Sequence, residues 1–412
     1  MDSDNKKVVC ILADAMRADY IDRYELPFLT ELRAGRRVYS DRVTPSTGFC
    51  EIVEYVTGQG ALDHGMFAQI TAVDDWQAVT IPPALRSLSR VKSAVESVTR
   101  FSKKVHRHTS PYFERAVALH LPEHVGDIRY LVPYTLLPYF QATEGKVEYD
   151  SFEFGQDKNL FLWMQSQGIT YDIDDFVKFN KIQGTDHERF RRLKYKLTSG
   201  SLKDFTMIYM SAAECAHYYS TDSGKTCKVL MQFDRELAAV FHELQREYDN
   251  CELIVLGDHG MVDVEEYIDV ISEIEALADR HGMTVGEDFI YFVDSTVCRI
   301  WLDDRDRHTG FVEALSEALA DATEADEATA DYLGNFMPRF GDAIFLLKPG
   351  KTYFPDFFNV QKNLGMHGYL ASAPGQQGLL LATGSDSTRQ DIAEIKLYQM
   401  YDFFKQYWQH AA

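Results

Sequence analysis

Four short segments of the chain contain residues that could bind a metal ion or attack an ester. They are LADAMRADY (12–20), TPSTGF (44–49), VLGDHGM (255–261) and GMHGYL (365–370). Asp14, Asp258, His259 and His367 offer the carboxylate and imidazole ligands that zinc and manganese accept. Adjacent ligands such as Asp258 and His259 can point to opposite sides of a strand end and so serve two neighbouring ions. A single segment of this kind is weak evidence, but the four together predict a hydrolytic site with two divalent metal ions.

The segments must be positioned by regular elements, and the sequence predicts an α/β fold. Short apolar runs typical of buried strands are found at 7–13, 205–210, 253–257, 343–348 and 378–384. Helical patterns alternate with them, which favours a mostly parallel central sheet with helices on both faces. Sheets of this kind bind ligands at the carboxyl ends of their strands, where Asp14 and Asp258 are expected.

One long region departs from this alternation. Residues 76–200 are rich in Tyr, Phe, Arg and His and show no clear succession of strands and helices. We therefore predict that 76–200 form an inserted cap, and that 1–75 and 201–412 together form the catalytic domain.

The charge of the chain limits its partners. Asp and Glu number 63 against 42 Lys and Arg, which gives a formal net charge of -21. So acidic a surface repels nucleic-acid backbones and anionic membranes, and neither is expected as a partner. An anionic small-molecule substrate would need a local positive centre, which bound metal would supply.

The cysteines and the N-terminal segment bear on location. The six cysteines are scattered and form no CxxC pair, which favours reduced thiols over a disulfide framework or a thiolate zinc site. The first apolar run ends at Asp14, too early for a signal peptide, and no apolar stretch of about 18 residues follows. We therefore expect a cytoplasmic protein, whereas the oligomeric state is left open.

The motifs and their order resemble the alkaline phosphatase superfamily, most closely its nucleotide pyrophosphatase/phosphodiesterase branch. That branch has a DGxRxDY-like segment after a strand, then a Thr-Phe turn leading to VTG and HGI, and later SDHGM and HGY. The corresponding residues here are Asp14–Tyr20, Thr47–Phe49, Val56–Gly58, His64–Met66, Gly257–Met261 and His367–Tyr369. The resemblance covers about half of the chain, leaves the cap out, and implies an alkaline phosphatase-like fold.

The resemblance also implies roles for individual residues. It implies four metal ligands, Asp14, Asp258, His259 and His367. It implies that Thr47 is the nucleophile and bridges two ions, for which zinc is expected and manganese is the alternative. Metal coordination lowers the pKa of a hydroxyl, so a metal-bound Thr47 could attack phosphorus. Gln69 matches a family asparagine that donates a hydrogen bond to the phosphoryl oxygen.

Two positions depart from the family pattern. Counting back from Thr57 places the family's nucleophile on Gly48, so one inserted residue is needed to bring Thr47 into register, and Ser46 is a possible substitute. The family also has an aspartate four residues before a histidine, whereas Glu214 lies three residues before His217. Glu and His at this spacing share one face of a helix, so both are predicted to bind the second ion.

The predicted function is therefore a metal-dependent hydrolase of phosphodiester or nucleotide pyrophosphate bonds that acts through a covalent phospho-threonine. The expected partner is a small-molecule phosphoester, with a nucleotide as one candidate. A phosphomonoesterase or phosphonate hydrolase on the same scaffold is one alternative. The other is a catalytically weak binding protein that retains the fold.

Overall fold

The chain folds into a large α/β unit joined to a smaller second sheet. The computed structural model describes residues 6–99, 112–113, 115–122, 125, 131–143, 149–151, 158–174, 184–384 and 390–409. The helices are α1 (Asp19–Arg23), α2 (Pro27–Gly35), α3 (Glu51–Thr57), α4 (Ala61–His64), α5 (Pro83–Thr99), α6 (Leu160–Ser166), α7 (Asp186–Thr198), α8 (Ala216–Tyr219), α9 (Gly224–Glu247), α10 (Val270–His281), α11 (Thr309–Leu319), α12 (Glu327–Gly334) and α13 (Met400–Gln409). Short 3₁₀ turns lie at Trp76–Ala78, Leu137–Tyr139, Ala213–Cys215 and Leu397–Gln399.

The described residues also form the strands named in the next sentence, and eight of these make up the main sheet. The strands are β1 (Lys7–Ala13), β2 (Val38–Thr44), β3 (Ile70–Ala72), β4 (Phe140–Ala142), β5 (Tyr171–Asp174), β6 (Phe205–Met210), β7 (Cys251–Leu256), β8 (Val262–Asp263), β9 (Glu266–Ile268), β10 (Phe289–Val293), β11 (Val297–Leu302), β12 (Ala343–Leu346), β13 (Lys351–Tyr353), β14 (Gly365–Met366), β15 (Gly378–Ala382), β16 (Gln390–Asp391) and β17 (Ile395–Lys396). The order in the main sheet is β16-β2-β15-β7-β1-β6-β5, with β17 also paired to β2. β1 is parallel to β6 and β7, and β15 is antiparallel to β2 and β7. The predicted mostly parallel α/β sheet is therefore confirmed.

The central strand β1 shows why the sheet is covered by helices on both faces. Successive side chains of a strand point to opposite faces. Val9 and Ile11 pack into a core that also contains residues of α1, α2, α7 and α9. Val8 and Cys10 pack into a second core with residues of α3, α6 and α13. Both faces of β1 are apolar, as expected for a strand that is buried in a parallel sheet.

The parallel strands bring their carboxyl ends to one edge of the sheet. Asp14 directly follows β1, the turn Ala213–Cys215 follows β6, and Asp258 lies two residues after β7. Because β1 pairs with both β6 and β7, these three points of the chain lie side by side. This edge positions the residues that the sequence singles out.

A third hydrophobic core contains a smaller sheet. β10, β11 and β12 form an antiparallel sheet of three strands. Its core also includes residues between 70 and 140, and Phe140 contacts Phe292 edge-to-face with ring centroids 5.0 Å apart. Residues between 70 and 140 and residues from the C-terminal third of the chain thus pack into one core.

The region predicted as a cap, 76–200, is divided between these two units. Its last part belongs to the main layer, because β5 extends the sheet parallel to β6 and α7 packs against α9. The prediction of a separate cap up to residue 200 therefore does not describe 158–174 and 184–200. Local periodicity does not indicate which distant strands pair, and the sequence alone therefore does not predict that β5 joins the main sheet. Residues 100–111 and 175–183 of the same region lie outside the described residues.

The longest helix, α9, is amphipathic, with Leu230, Phe233 and Leu237 buried against the sheet and charged residues elsewhere on its surface. Among the residues that the structure describes, no helix combines the length and the apolar character needed to cross a membrane.

Candidate two-metal site

The first group of ligand-type residues forms where β1 and β7 end. Asp14, Asp258 and His259 each place one ligand atom within 4.8 Å of the others. The His259 Nε2 atom lies 3.0 Å from Asp14 Oδ1, and the His259 backbone N–H donates to Asp258 Oδ1 at 3.0 Å. Arg17 donates to the Met261 carbonyl oxygen at 2.6 Å, which ties the loop after β1 to the loop after β7.

The second group forms beside the end of β6. Glu214, His217 and His367 also place ligand atoms within 4.8 Å of one another. Glu214 lies in the 3₁₀ turn and His217 in α8, and their spacing of three residues puts the His217 Nε2 atom 3.5 Å from Glu214 Oε1. The structure thus brings Glu214 and His217 together on one face, as their spacing predicts.

Backbone carbonyls orient two of the imidazoles. His217 Nδ1 hydrogen-bonds to the Gly365 carbonyl oxygen at 2.8 Å, and His259 Nδ1 to the Gly260 carbonyl oxygen at 2.8 Å. When Nδ1 donates in this way, the lone pair is on Nε2, the atom that faces the carboxylates. The Tyr209 hydroxyl donates to Asp14 Oδ2 and fixes that carboxylate. Such outer contacts are the usual means of orienting metal ligands.

The two groups are neighbours in one cavity. The rings of His259 and His367 stack with centroids 4.0 Å apart and an interplanar angle of 13°. All six residues line a cavity of about 510 Å³. The other residues that line it are Leu12, Phe49, Cys50, Glu51, Ile52, Gln69, Tyr209, Tyr218, Asp294, Ser295, Phe358, Asn359, Asn363 and Met366. The arrangement therefore offers two adjacent sets of three ligands.

Crowding of like groups in this cavity perturbs their pKa values. Burial raises the pKa of Asp258 to about 8, and the nearby charges of Asp14 and Glu51 act in the same direction. Burial lowers the pKa of His367 well below its usual value, and the neighbouring His259 and His217 add to that effect. Burial also acts to lower the pKa of His217, but the hydrogen bond and charge of Glu214 outweigh it, so this pKa is raised.

These residues fit divalent metal ions. His367 Nδ1 is buried and has no hydrogen-bond partner among the residues that the structure describes, which is costly for a polar atom unless a ligand completes it. The carboxylates of Asp14 and Asp258 offer oxygens within 4.8 Å of each other, and the charge of Asp14 contributes to the raised pKa of Asp258, so a bound cation would relieve their repulsion. Three carboxylates and three imidazoles form a ligand set that zinc or manganese accepts.

The predicted nucleophile Thr47 is not brought into this cavity. Its Oγ1 accepts a hydrogen bond from the Ala371 N–H at 3.0 Å, and its side chain lines a separate cavity. Ser46 lines that same separate cavity, where its Oγ accepts from the Ala61 N–H at 3.1 Å. Both hydroxyls thus stabilise the turn, apart from the six ligand-type residues.

The turn geometry explains why neither hydroxyl is at the position of the family's nucleophile. Counting along the motif puts that position on Gly48, which has a φ of +134°. A Cβ atom there would lie 2.4 Å from the Phe67 carbonyl oxygen, so no side chain fits this backbone. The next residues, Phe49, Cys50 and Glu51, enter the cavity instead.

Gln69 does line the cavity, so the structure brings it together with the ligand-type residues. Residues that the sequence analysis did not single out are also present, namely Glu51, Tyr209, Asp294, Asn359 and Asn363. Tyr209 is the penultimate residue of β6 and Glu51 the first of α3. In the sequence, the one indication that Glu51 belongs to the site is its position beside the turn that is predicted to hold the nucleophile.

A chain whose α/β sheet carries two adjacent ligand groups at its carboxyl edge has the architecture of the alkaline phosphatase superfamily. The sequence model of the family described as Type I phosphodiesterase / nucleotide pyrophosphatase matches residues 8–370. The chain belongs to this family, and the predicted resemblance is confirmed. No curated protein matches the sequence.

Solved structures share the fold. Murine ectonucleotide pyrophosphatase / phosphodiesterase 5, in an inactive variant complexed with AMP, is 16% identical, with a TM-score of 0.65 over 97% of this chain and 94% of that chain. The human form is 15% identical, with a TM-score of 0.65 over 98% of this chain and 95% of that chain. At this low sequence identity, the comparison shows likeness of the fold alone.

Proposed function

We propose that the protein is a metal-dependent hydrolase of phosphodiester or nucleotide pyrophosphate bonds. The observation that carries the proposal is the pair of adjacent ligand groups, Asp14/Asp258/His259 and Glu214/His217/His367, in one cavity. Bound divalent ions would polarise the phosphoryl oxygens and lower the pKa of the attacking oxygen. Family membership supports a phosphodiesterase, whereas zinc and the dependence on metal are parts of the proposal.

The residues of the chain would act by holding and orienting. Hydrogen bonds to backbone carbonyls keep Nε2 of His217 and His259 directed at the carboxylates. Gln69 lines the same cavity, where its amide could donate to a phosphoryl oxygen. The AMP in the murine relative supports a nucleotide as substrate or product for this chain too.

The route of attack is a second part of the proposal. A covalent phospho-threonine would require the 44–50 turn to carry the Thr47 hydroxyl from its own cavity into the ligand-lined one. Of the serines and threonines in the described residues, Ser295 alone lines the ligand cavity, and its hydroxyl donates to Asp356. We therefore favour direct attack: the oxygen of a water bonds to phosphorus, the bond to the leaving oxygen breaks, and the water's proton passes to solvent or to a carboxylate.

The proposed function is tested with a chromogenic diester and its monoester. Bis(4-nitrophenyl) phosphate and 4-nitrophenyl phosphate are offered to protein reconstituted with zinc or with manganese. We expect the diester to be preferred, and His367→Ala to lose turnover while His187→Ala, which changes an exposed histidine, retains it. A monoester preference would move the protein to the alternative class of phosphomonoesterases. Metal binding without turnover of either ester would favour the binding-protein alternative.

The route is tested separately by stereochemistry. A diester with a chiral phosphorothioate group inverts at phosphorus when water attacks directly, and retains its configuration when two displacements pass through a covalent intermediate. We expect inversion, and retention would establish the covalent route. The cytoplasmic location and the absence of nucleic-acid and membrane partners remain predictions from charge and apolar content.

A further inference from the structure

Glu51 lines the same cavity and lies close to one histidine of each ligand group. One of its carboxylate oxygens lies within 4.8 Å of ring nitrogens of both His259 and His367. His259 belongs to the first group and His367 to the second. We propose that Glu51 is a metal ligand shared by both ions, an inference that rests on the proposed two-metal function.

The backbone directs Glu51 to this place. It is the first residue of α3, and the preceding Phe49 is held by a hydrogen bond from its N–H to the Phe67 carbonyl oxygen at 2.9 Å. The Phe49 ring in turn contacts His367 edge-to-face, with centroids 5.9 Å apart. The entry to α3 is therefore anchored against the second ligand group. A glutamate at this position reaches the ligands with its own side chain, without a change in the turn.

A count of charges supports a fourth carboxylate. The two groups contain three carboxylates, those of Asp14, Asp258 and Glu214, together with three imidazoles that bind metal as neutral ligands. Two divalent ions would leave this set with one excess positive charge. The carboxylate of Glu51 balances the count. In the family that this chain resembles, a hydroxyl is expected to bridge the ions, and Gly48 leaves that position without a side chain.

A carboxylate is well suited to the role. Metal ions in two-metal hydrolases lie about 3.5–4 Å apart, a separation that the two oxygens of one carboxylate can span. Its carboxylate lies within 4.8 Å of ring nitrogens of two stacked imidazoles that belong to different ligand groups, and a bridging ligand requires such proximity to both groups. Neither His259 nor His367 alone can bridge, because each offers the ions one free nitrogen.

The test compares Glu51→Gln with Glu327→Gln. Glu327 is also the first residue of a helix, α12, but it is exposed and lies outside the cavity, so it controls for the loss of a charge at a helix start. Each protein is titrated with Mn²⁺ after exhaustive chelation, and bound metal is measured by elemental analysis. Low-temperature EPR then shows whether two Mn²⁺ ions are exchange-coupled through a shared ligand.

We expect the wild type and Glu327→Gln to bind two coupled ions. Loss of an outer contact to a metal ligand typically costs 10–100-fold in affinity, so removal of a direct ligand should weaken at least one ion by tenfold or more. Glu51→Gln should also lose the coupled EPR signal. Thermal unfolding in chelator shows that the variant is folded. It should be no less stable than the wild type, because burial disfavours the charge of Glu51 and the charges of Asp14 and Glu214 act in the same direction.

The outcomes separate the inference from the function on which it rests. If Glu51→Gln binds two coupled ions with wild-type affinity, Glu51 is no shared ligand, while the two-metal function stands. If the wild type itself binds fewer than two ions, both are wrong.

Discussion

Replacing Thr47 with valine tests the nucleophile most directly. Valine keeps the shape of threonine and removes the hydroxyl, which in the structure accepts a hydrogen bond from the Ala371 N–H at 3.0 Å. Loss of such a bond costs about 1 kcal/mol in the free energy of unfolding. For a chain of 412 residues, that corresponds to a fall in Tm of about 1 °C. The neighbouring contact, from the Tyr332 hydroxyl to the Thr47 carbonyl oxygen at 2.7 Å, should remain.

The two routes of attack predict very different rates for Thr47→Val. Loss of a covalent nucleophile can cost on the order of 10⁶ in kcat, equal to about 8 kcal/mol of transition-state stabilisation. Because the Thr47 hydroxyl lies outside the ligand cavity, we expect the variant to keep kcat within about threefold of the wild type. Turnover of bis(4-nitrophenyl) phosphate at saturating metal measures this.

Thr47→Ser is the matched control, because it restores the hydroxyl on a smaller side chain. A loss of about 10³-fold or more in Thr47→Val that Thr47→Ser recovers would refute direct attack. It would show that the 44–50 turn rearranges during turnover and would restore the phospho-threonine route. Equal small losses in both variants would instead mean that Thr47 stabilises the turn.

Three further outcomes are expected. Chelation should abolish diester turnover and lower Tm, because each ion present at about 100 times its Kd stabilises the fold by about 2.7 kcal/mol. Turnover that persists without measurable metal would contradict the two-metal site. Arg299→Met should lower the free energy of unfolding by about 3–5 kcal/mol in chemical denaturation, because it leaves the Asp294 carboxylate, 2.7 Å from the guanidinium, buried without its counter-charge; a loss below about 1 kcal/mol would contradict this. Burial raises the pKa of Glu54 to about 8 from its ordinary value of 4.5. Between these two pH values the folded state therefore holds a proton that the unfolded state has lost. The free energy of unfolding should fall as pH rises through this range, by at most about 1.4 kcal/mol per pH unit. Glu54→Gln should flatten that slope in denaturation at pH 5, 6.5 and 8, and an unchanged slope would assign it to other groups.

Local patterns were sufficient to predict a mostly parallel sheet and the six ligand-type residues that lie together in the cavity. Asp14 and Asp258 follow short apolar strands, and the parallel order of β1 and β7 brings such strand ends together. The spacing of Glu214 and His217 requires one helical turn, which is a local property of the chain. These residues could be predicted because each depends on nearby sequence and on a general rule for strand ends.

Features that depend on distant contacts could not be predicted in the same way. β5 joins the main sheet because it pairs with β6, although 30 residues separate the two strands in the chain. No local pattern in residues 158–200 indicates that pairing, and the sequence alone therefore predicts a cap there. A polar, aromatic-rich stretch can be an insertion or the edge of a sheet, and only its pairing partner distinguishes the two.

The turn that holds Thr47 depends on both nearby and distant residues, which is why the sequence alone does not show where the Thr47 hydroxyl lies. Threonine beside a helix start is chemically suited to attack, yet its direction depends on the carbonyl oxygen of Phe67, 20 residues later. That oxygen accepts a hydrogen bond from the Phe49 N–H and leaves no room for a side chain at Gly48. The helix therefore presents Glu51 to the cavity, three residues beyond the position expected for a nucleophile. If the Thr47 hydroxyl serves the metal ions, Thr47→Val should lose turnover and Glu51→Gln should keep its metal affinity. If the Glu51 carboxylate serves them, the two results should be reversed. The two variants together therefore decide which side chain serves the metal ions.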